Sequence, residues 1–180
     1  MVEPVTGEKE PEPLLIYLPG VERKLLESPL MELEKAGHLR ERFPQPYTLK
    51  NAEAWIEFTA KESPTLNFAI CVEGHVVGGI GLMPGSDIHR VSAEVGYWLG
   101  EAFWGRSIAA AALIDLTRYA FATLADLNRL FAYVDEEHVA SIRVLEKAHF
   151  RREGHLIGAA LKQGQIRNQF LYALTRAEVQ

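Results

Sequence analysis

The sequence predicts one α/β domain built on a mixed β-sheet. Strand-like and helix-like segments alternate from Leu66 to the C-terminus. The 180 residues fit one domain of ordinary size, and 48% of them are hydrophobic against 24% charged, a balance typical of a folded protein with a sizeable core. Because a strand, a helix and a second strand commonly form a right-handed parallel crossover, we expect at least one parallel pair in the sheet.

Charge and residue usage exclude several classes of protein. The net charge of −5 argues against a dedicated nucleic-acid-binding protein, which would carry a basic stripe. No stretch approaches the ~20 apolar residues of a membrane helix. One cysteine excludes a disulfide framework within the chain, and no cluster of ligand residues predicts a metal site. The acidic start is unlike a signal peptide, so we expect a cytoplasmic protein without a nucleic-acid or membrane partner.

The N-terminal part carries the weaker patterns. Residues 1–13 combine four glutamates with three prolines and predict a flexible tail, which leaves 14–180 as the single domain. The apolar run LLIYL (14–18) predicts a strand. Residues 21–43 are helix-like but interrupted by proline and glycine.

The segment QPYTLKNAEAWIEF (45–58) predicts a turn followed by a helix. Asn51 is the candidate N-cap, because an asparagine side chain satisfies first-turn N–H groups. Ala54, Trp55 and Phe58 share one face of this helix.

A β-hairpin is predicted next, because LNFAICV (66–72) and VVGGIGLM (76–83) flank the turn signal Glu73-Gly74-His75. Gly79 and Gly81 share one face of the second strand, where a neighbour is expected to pack against the backbone. Cys71 is expected in the core.

Alternation continues in the strand VSAEVGYWL (91–99). One face carries Ala93, Val95, Tyr97 and Leu99, and the other carries Glu94, Gly96 and Trp98. The remaining predicted elements are a helix at 107–124, a strand at 129–134, a helix at 139–148, a stretch from Phe150 that turns back at Gly164, and a closing strand at 168–174.

The stretch GYWLGEAFWGRSIAAAAL (96–113) carries the clearest functional signal. A strand ends at Leu99 and a helix begins near Ser107, and such a helix start presents unpaired N–H groups and a positive dipole end to an anion. Gly105 removes a side chain from the turn, and Arg106 adds positive charge. Alone, the pattern also fits a turn that merely needs glycine, because P-loop and dinucleotide-binding fingerprints are absent.

In this order of elements the chain resembles the GNAT superfamily of acyl-CoA-dependent N-acetyltransferases. Residues 104–109 (WGRSIA) lie where the family carries Q/R-x-x-G-x-G/A. DEEHVASIRVLEKAHF (135–150) and IRNQFLYALTR (166–176) resemble its RimJ/RimL-type branch, the ribosomal-protein N-terminal acetyltransferases. The likeness covers roughly 66–176. It implies the GNAT fold: a mixed, mostly antiparallel sheet of six to seven strands with a central parallel splay, flanked by helices.

Three positions depart from the family pattern. Ser107 replaces the glycine of the phosphate loop, His138 the asparagine of N-x-x-S, and His149 the glycine that ends the following helix. A serine donates its N–H as glycine does unless the turn needs a positive φ, and its hydroxyl could cap the helix or bond a phosphate. Histidine visits the left-handed region more than most residues and suits a helix C-terminus.

The resemblance implies transfer of an acetyl group from acetyl-CoA, a cosubstrate, to a primary amine by direct attack through a tetrahedral intermediate, without a metal. The pantetheine arm is expected along residues 97–99, and the pyrophosphate on the N–H groups of 104–109. His138 is expected at the acyl carbonyl or the pantetheine. The cofactor-binding residues so implied are Tyr97, Trp98, Leu99, Trp104, Gly105, Arg106, Ser107, Ile108, Ala109 and His138.

Two residues are candidates for catalysis. Glu94 could take the amine proton through a water, or it only positions a cationic acceptor from a solvated face. The family often uses a tyrosine in the helix after the fifth strand, but Leu145 takes that position here. Ser141 is therefore expected to bind or protonate the leaving thiolate, unless it only bonds its own helix.

The acceptor is expected to be a protein N-terminal α-amine or a small amine, with Trp98 able to line its pocket. The chain is expected to be a monomer or a homodimer. A second class of function stays open: a catalytically silent acyl-CoA-binding or interaction module with the GNAT fold. It is motivated by the departures at Ser107, His138 and His149, which all surround the cofactor position.

Overall fold

The structure is a computed structural model that describes residues 14–17 and 48–179. The tail expected at 1–13 and the helix-like segment 21–43 lie outside these residues. The strands are β1 (Leu14–Tyr17), β2 (Asn67–Val72), β3 (His75–Pro84), β4 (Ser92–Leu99), β5 (Arg129–Asp135), β6 (Arg151–Lys162) and β7 (Gln165–Thr175). The helices are α1 (Leu49–Thr59), α2 (Ile108–Thr123) and α3 (Val139–Lys147).

The strands form a seven-stranded sheet in the order β1-β2-β3-β4-β5-β7-β6. Among the strand pairs that the structure describes, β4 and β5 alone run parallel, and α2 is the crossover between them. The predicted mixed, mostly antiparallel sheet with a parallel pair is confirmed. The closing strand starts at Gln165 rather than at 168, because β6 and β7 pair right up to their turn.

The predicted β2–β3 hairpin is present, with a shorter turn than expected. Glu73 (φ 51°) and Gly74 (φ 79°) both adopt left-handed backbone angles, and His75 already pairs with Val72. A two-residue turn in which both residues have positive φ matches the right-handed twist of the flanking strands. Such turns favour glycine at one position because glycine adopts positive φ without strain.

The core lies between the central strands and helices α2 and α3. The predicted apolar stripe of α2 is confirmed, since Ala109, Ala112, Leu113, Leu116 and Ala120 are all buried. From the sheet, Val95 and Leu130 join the same cluster, and from α3 Leu145 does. Cys71 is 2% exposed, as expected for a core residue, and burial raises the pKa of its thiol.

The cap of α1 differs from the prediction. Thr48 is the N-cap, in an extended conformation, and its side chain accepts from the Asn51 backbone N–H. Asn51 lies three residues into the motif and its Oδ1 accepts from the Thr48 N–H at 2.9 Å, which completes a capping box. The expected apolar face is only partly buried, because Phe58 is 62% exposed.

The glycines of β3 allow the close packing that the sequence predicts. A Cβ added to Gly79 would lie 2.6 Å from the Trp98 ring nitrogen, so the indole of β4 rests directly on the β3 backbone. A Cβ at Gly81 would meet the Asn67 side chain. Larger residues at either position would displace these neighbours.

Candidate active site

An opening between β4 and β5 forms the centre of the candidate site. The two strands pair only from Ser92 and Arg129 to Glu94 and Phe131. Beyond that point β4 stays paired with β3 as far as Leu99, and β5 stays paired with β7 as far as Asp135. The strands therefore diverge, and beyond this point the facing backbone groups of β4 and β5 do not hydrogen-bond to one another. This is the central splay that the sequence predicts.

The N-terminus of α2 lies at the open end of β4. Ala111 donates the first helical hydrogen bond, 3.0 Å to the Ser107 carbonyl, so the N–H groups before it have no acceptor inside the helix. Gly105 has φ 75°, and a Cβ added there would meet nothing within 4 Å. This first turn thus presents donors and the positive dipole end to open space, which suits a pyrophosphate.

Ser107 occupies a backbone conformation that favours glycine. Its φ of 59° and ψ of 8° lie in the left-handed region, at a cost of about 1–2 kcal/mol for a residue with a Cβ. Because this turn needs a positive φ, serine is strained at position 107 where glycine would not be. The hydroxyl does not cap α2, and the expectation of a serine cap is wrong, because capping requires an extended N-cap residue.

Instead, the Ser107 hydroxyl accepts a 2.8 Å hydrogen bond from Lys147 Nζ, in the last turn of α3. Sequence reasoning missed this lysine, because the two residues are 40 positions apart and no spacing rule joins them. Arg106 lies half-buried with its guanidinium 5.7 Å from the Phe103 ring centroid. Both cations lie close to the first turn of α2 and favour a phosphate there.

Trp104 stabilises the loop between β4 and α2. Its indole Nε1 donates a 2.7 Å hydrogen bond to the Leu99 carbonyl at the end of β4. The predicted contact from Leu99 to pantetheine would therefore use its N–H or the second lone pair of the carbonyl. Trp104 is 45% exposed, so this hydrogen bond forms at the surface of the loop.

Ser141 is bonded to a tyrosine of β4. The Tyr97 hydroxyl lies 2.7 Å from Ser141 Oγ and 3.2 Å from the Ser141 carbonyl oxygen. Burial raises the pKa of Tyr97 to about 12, although the bond to Ser141 opposes the shift. Since the serine hydroxyl contacts β4, it does more than bond its own helix. The sequence singled out Tyr97 for its backbone alone, and this side-chain contact was missed.

The two histidine departures lie at opposite ends of α3. His138 is the half-buried N-cap residue, and its N–H donates to the Asp135 carbonyl at 2.9 Å. It therefore shares the first turn of the helix with Ser141. His149 adopts φ 66°, and it donates to the Glu146 carbonyl while Phe150 donates to that of Leu145. This pair of bonds is a Schellman motif, and the expectation that histidine fits the helix C-terminus is confirmed.

Glu94 lies on the sheet face opposite α2, at the vertex of the opening. It pairs with Phe131 of β5, and the two side chains point to the same face because paired residues of parallel strands do so. Phe131 meets Tyr133 edge to face, with ring centroids 5.5 Å apart. A Cβ added to Gly96 would meet nothing within 4 Å.

This face, which we call the acceptor face, is defined by Glu94, Gly96, Trp98, Phe131 and Tyr133. Within the part of the chain that the structure describes, it combines one carboxylate with aromatic rings near the open position at Gly96, and both kinds of group attract cations. The contribution of Phe131 and Tyr133 was missed by sequence reasoning. The signal that would have found them is the parallel register, which the sequence does not specify.

Residues 14–17 and 48–179 show neither a metal-binding cluster nor a membrane-spanning helix. In these ranges no group of three or more His, Cys, Asp or Glu side chains is placed to hold a metal ion. None of the helices described there is long and apolar enough to cross a membrane.

The comparison with protein families decides the assignment. The model of the acetyltransferase (GNAT) domain matches residues 28–151, more than half of the chain. The chain belongs to the GNAT family. The matched range includes β4, β5, α2 and α3, the elements around the opening described above.

Similar proteins agree with this assignment. An N-acetyltransferase of Bacillus licheniformis named p20, itself uncharacterised, is 35% identical over 86 residues, which are 48% of either chain, so the match spans about half the length of that relative. Spermidine N(1)-acetyltransferase of Escherichia coli K12 is 27% identical over 139 residues, 74% of this chain and 71% of that one.

A solved structure confirms the fold. RimJ of Mycobacterium smegmatis, in complex with CoA-disulfide, superimposes with a TM-score of 0.73 over 93% of this chain and 89% of that one. The two sequences are 24% identical, so this likeness concerns the fold alone.

Proposed function

We propose that this chain is an acetyl-CoA-dependent N-acetyltransferase acting on a primary amine. The observation that supports this most is the opening between β4 and β5 beside the first turn of α2. Backbone donors for a thioester arm, on β4, and for a pyrophosphate, in the first turn of α2, both border this opening; we call the opening and this turn together the groove. The CoA-binding residues predicted from the sequence would contact the cofactor from β4, from the loop before α2, from the first turn of α2 and, for His138, from the start of α3.

Acetyl-CoA would supply an activated acetyl thioester. The N–H groups of Gly105–Ala109 would hold its pyrophosphate, with Arg106 and Lys147 adding positive charge. The unpaired part of β4 would bond the amides of the arm as an added strand does. These contacts would fix the thioester at the vertex of the opening, next to Glu94.

The acceptor amine must be neutral before it attacks, because an ammonium has no lone pair. Glu94 would take its proton directly or through a water, and the carboxylate also attracts the cation that arrives. A Lys-type amine has a pKa of ~10.4, whereas an α-amine has a pKa of ~7.7–8.0. A general base therefore accelerates acetylation of a Lys-type amine more than acetylation of an α-amine. Phe131 and Tyr133 would line the path of the acceptor on the acceptor face.

The acceptor class that we propose is a cationic primary amine, either a peptide N-terminus or a small amine. The carboxylate and aromatic rings of the acceptor face favour a positive charge over a neutral one. The net charge of −5 adds a weak attraction for cations over the whole molecule.

A paired acetylation assay with Glu94→Gln tests the proposal. Wild-type protein is incubated with acetyl-CoA and either an alanine-initiated peptide or a diamine, and free CoA is measured. If Glu94 is the base, kcat/KM falls about 10–100-fold, more for the diamine than for the peptide. If it only positions the cation, KM rises and kcat is unchanged. Cofactor binding without acetylation of any amine would favour the silent acyl-CoA-binding module instead.

A further inference from the structure

We propose that Tyr97 is a positioning residue that orients the Ser141 hydroxyl, so that this hydroxyl donates a hydrogen bond to the sulfur of the leaving group without giving up its proton. The proposal rests on the proposed function, since it needs a thioester in the opening between β4 and β5. It assigns a role to a side chain that contacts neither the acceptor nor the phosphates.

Tyr97 and Ser141 form a hydrogen-bonded pair between β4 and α3. Tyr97 lies on the part of β4 that no longer pairs with β5, and Ser141 lies in the first turn of α3. Their hydroxyl oxygens are 2.7 Å apart, a normal O–H···O hydrogen bond. The bond thus joins the two elements across the side of the opening that α3 covers.

The direction of this hydrogen bond decides which of the two protons stays available for a ligand. Each hydroxyl has one proton and two lone pairs, so either can donate. The Ser141 carbonyl oxygen, 3.2 Å from the Tyr97 hydroxyl, can only accept, so a Tyr97 proton aimed at it would leave Ser141 Oγ to donate to Tyr97. A thiolate beside Ser141 favours the other arrangement, in which the phenol, the more acidic group, donates to Ser141 Oγ. With Tyr97 donating, the serine proton is free to point at a third atom.

The hydroxyl proton of Ser141 can then interact with the leaving group. When the carbon–sulfur bond breaks, the sulfur keeps the electron pair and leaves as a thiolate, while the amine proton goes to Glu94 or water. A hydroxyl that donates to the thiolate stabilises this charge. Because a serine hydroxyl is a far weaker acid than a thiol, whose pKa is ~8.5, Ser141 keeps its proton while it donates to the thiolate. The pair therefore stabilises the thiolate, and the thiolate takes its proton from solvent.

The test is the pKa of the CoA thiol while CoA is bound, read from the ultraviolet absorbance of the thiolate. Samples with a CoA analogue lacking the sulfur supply the blank for protein tyrosines. We expect the pKa of bound CoA below that of free CoA in the wild type. Ser141→Ala raises it by about one unit, a roughly tenfold change in the acid dissociation constant. Tyr97→Phe raises it in the wild type and has no effect in the Ser141→Ala background.

The matched control is Tyr119→Phe. Tyr119 is also half-buried and its hydroxyl donates to a backbone carbonyl, that of Thr65 at 3.0 Å, but it lies outside the site. It should leave the pKa of bound CoA unchanged. In turnover, Tyr97→Phe lowers kcat several-fold, with KM for acetyl-CoA within twofold of the wild type.

A second measurement covers the case in which Tyr97→Phe does not fold. Ring-fluorinated tyrosine, incorporated throughout the chain, is a stronger donor of the same size. It should lower the pKa of bound CoA in the wild type and leave it unchanged in Ser141→Ala. An equal pKa in the wild type, Ser141→Ala and the fluorinated protein overturns the inference, whereas failure of the wild type to bind CoA overturns the proposed function itself.

Discussion

The positive φ of Ser107 shapes the turn that is proposed to bind the cofactor. The residue sits at φ 59°, where glycine is unstrained and serine is not. The turn keeps its shape because the residues around it determine the conformation, and Lys147 bonds the hydroxyl. The same angle aims the first N–H groups of α2 at the open space beside Gly105, so the strain is located where an anion would bind.

Ser107→Gly should therefore keep or tighten the binding of acetyl-CoA, since it removes strain while all backbone donors remain. Ser107→Val should weaken it, because a β-branched residue at positive φ is strongly disfavoured. Calorimetric titration of the three proteins measures the difference. The same affinity for all three would show that this turn does not hold the pyrophosphate.

Gly96 gives a prediction for the acceptor face. Its added Cβ meets no atom within 4 Å, so Gly96→Val should fold normally while its side chain fills the space between Glu94 and Trp98. We expect amine acetylation to fall at least about tenfold, a barrier increase of ~1.4 kcal/mol, with the melting temperature little changed.

The matched control for Gly96 is Gly154→Val. Gly154 also has ordinary room, with the nearest atoms 3.9 Å from its added Cβ, but it lies on β6. The control should acetylate at the wild-type rate. Full activity of Gly96→Val would mean that the acceptor reaches the thioester from another side.

At the scale of elements, the ends of α2 are stabilised by different parts of the chain. The N-terminus faces the opening, and the C-terminus is bonded by Arg176, which follows β7. Its guanidinium donates to the carbonyls of Phe121, Leu124 and Leu127. Phe121 lies in the last turn of α2, whose carbonyls have no partner inside the helix, and Leu124 and Leu127 lie in the segment just after it. A cation at this end also matches the helix dipole. The C-terminal segment thereby fixes the helix that carries the phosphate donors.

Arg176→Met should lower the free energy of unfolding by about 2–3 kcal/mol, because it keeps the apolar stem and leaves several carbonyls without a charged donor. For a chain of this size the melting temperature should drop by about 5–10 °C. Thermal unfolding followed by circular dichroism measures it.

The control is Arg118→Met, on the exposed face of the same helix, where the nearest acidic oxygen is 3.4 Å away on Asp115. Its effect should stay within ~0.5 kcal/mol. Equal effects of the two substitutions would show that Arg176 does not stabilise α2.

For the whole molecule, element type and order could be predicted from the sequence because each depends on local patterns. Alternation placed β4, apolar periodicity placed α2, and the turn residues placed the β2–β3 hairpin. The family motif pointed to the groove. Contacts between distant segments could not be predicted in this way, since no local rule joins Ser107 to Lys147 or Tyr97 to Ser141. The cap of α1 was misplaced because both Thr48 and Asn51 are capping residues and only the backbone angles decide between them.

The function of the whole molecule depends on whether the opening between β4 and β5 and the first turn of α2 together bind acetyl-CoA. Isothermal titration calorimetry at low salt, with the 180-residue chain and acetyl-CoA, tests it most directly. We predict a one-to-one complex with a micromolar or smaller dissociation constant, which corresponds to about −8 kcal/mol or better. Absence of binding by a folded sample would contradict the account, because the groove would then serve no cofactor.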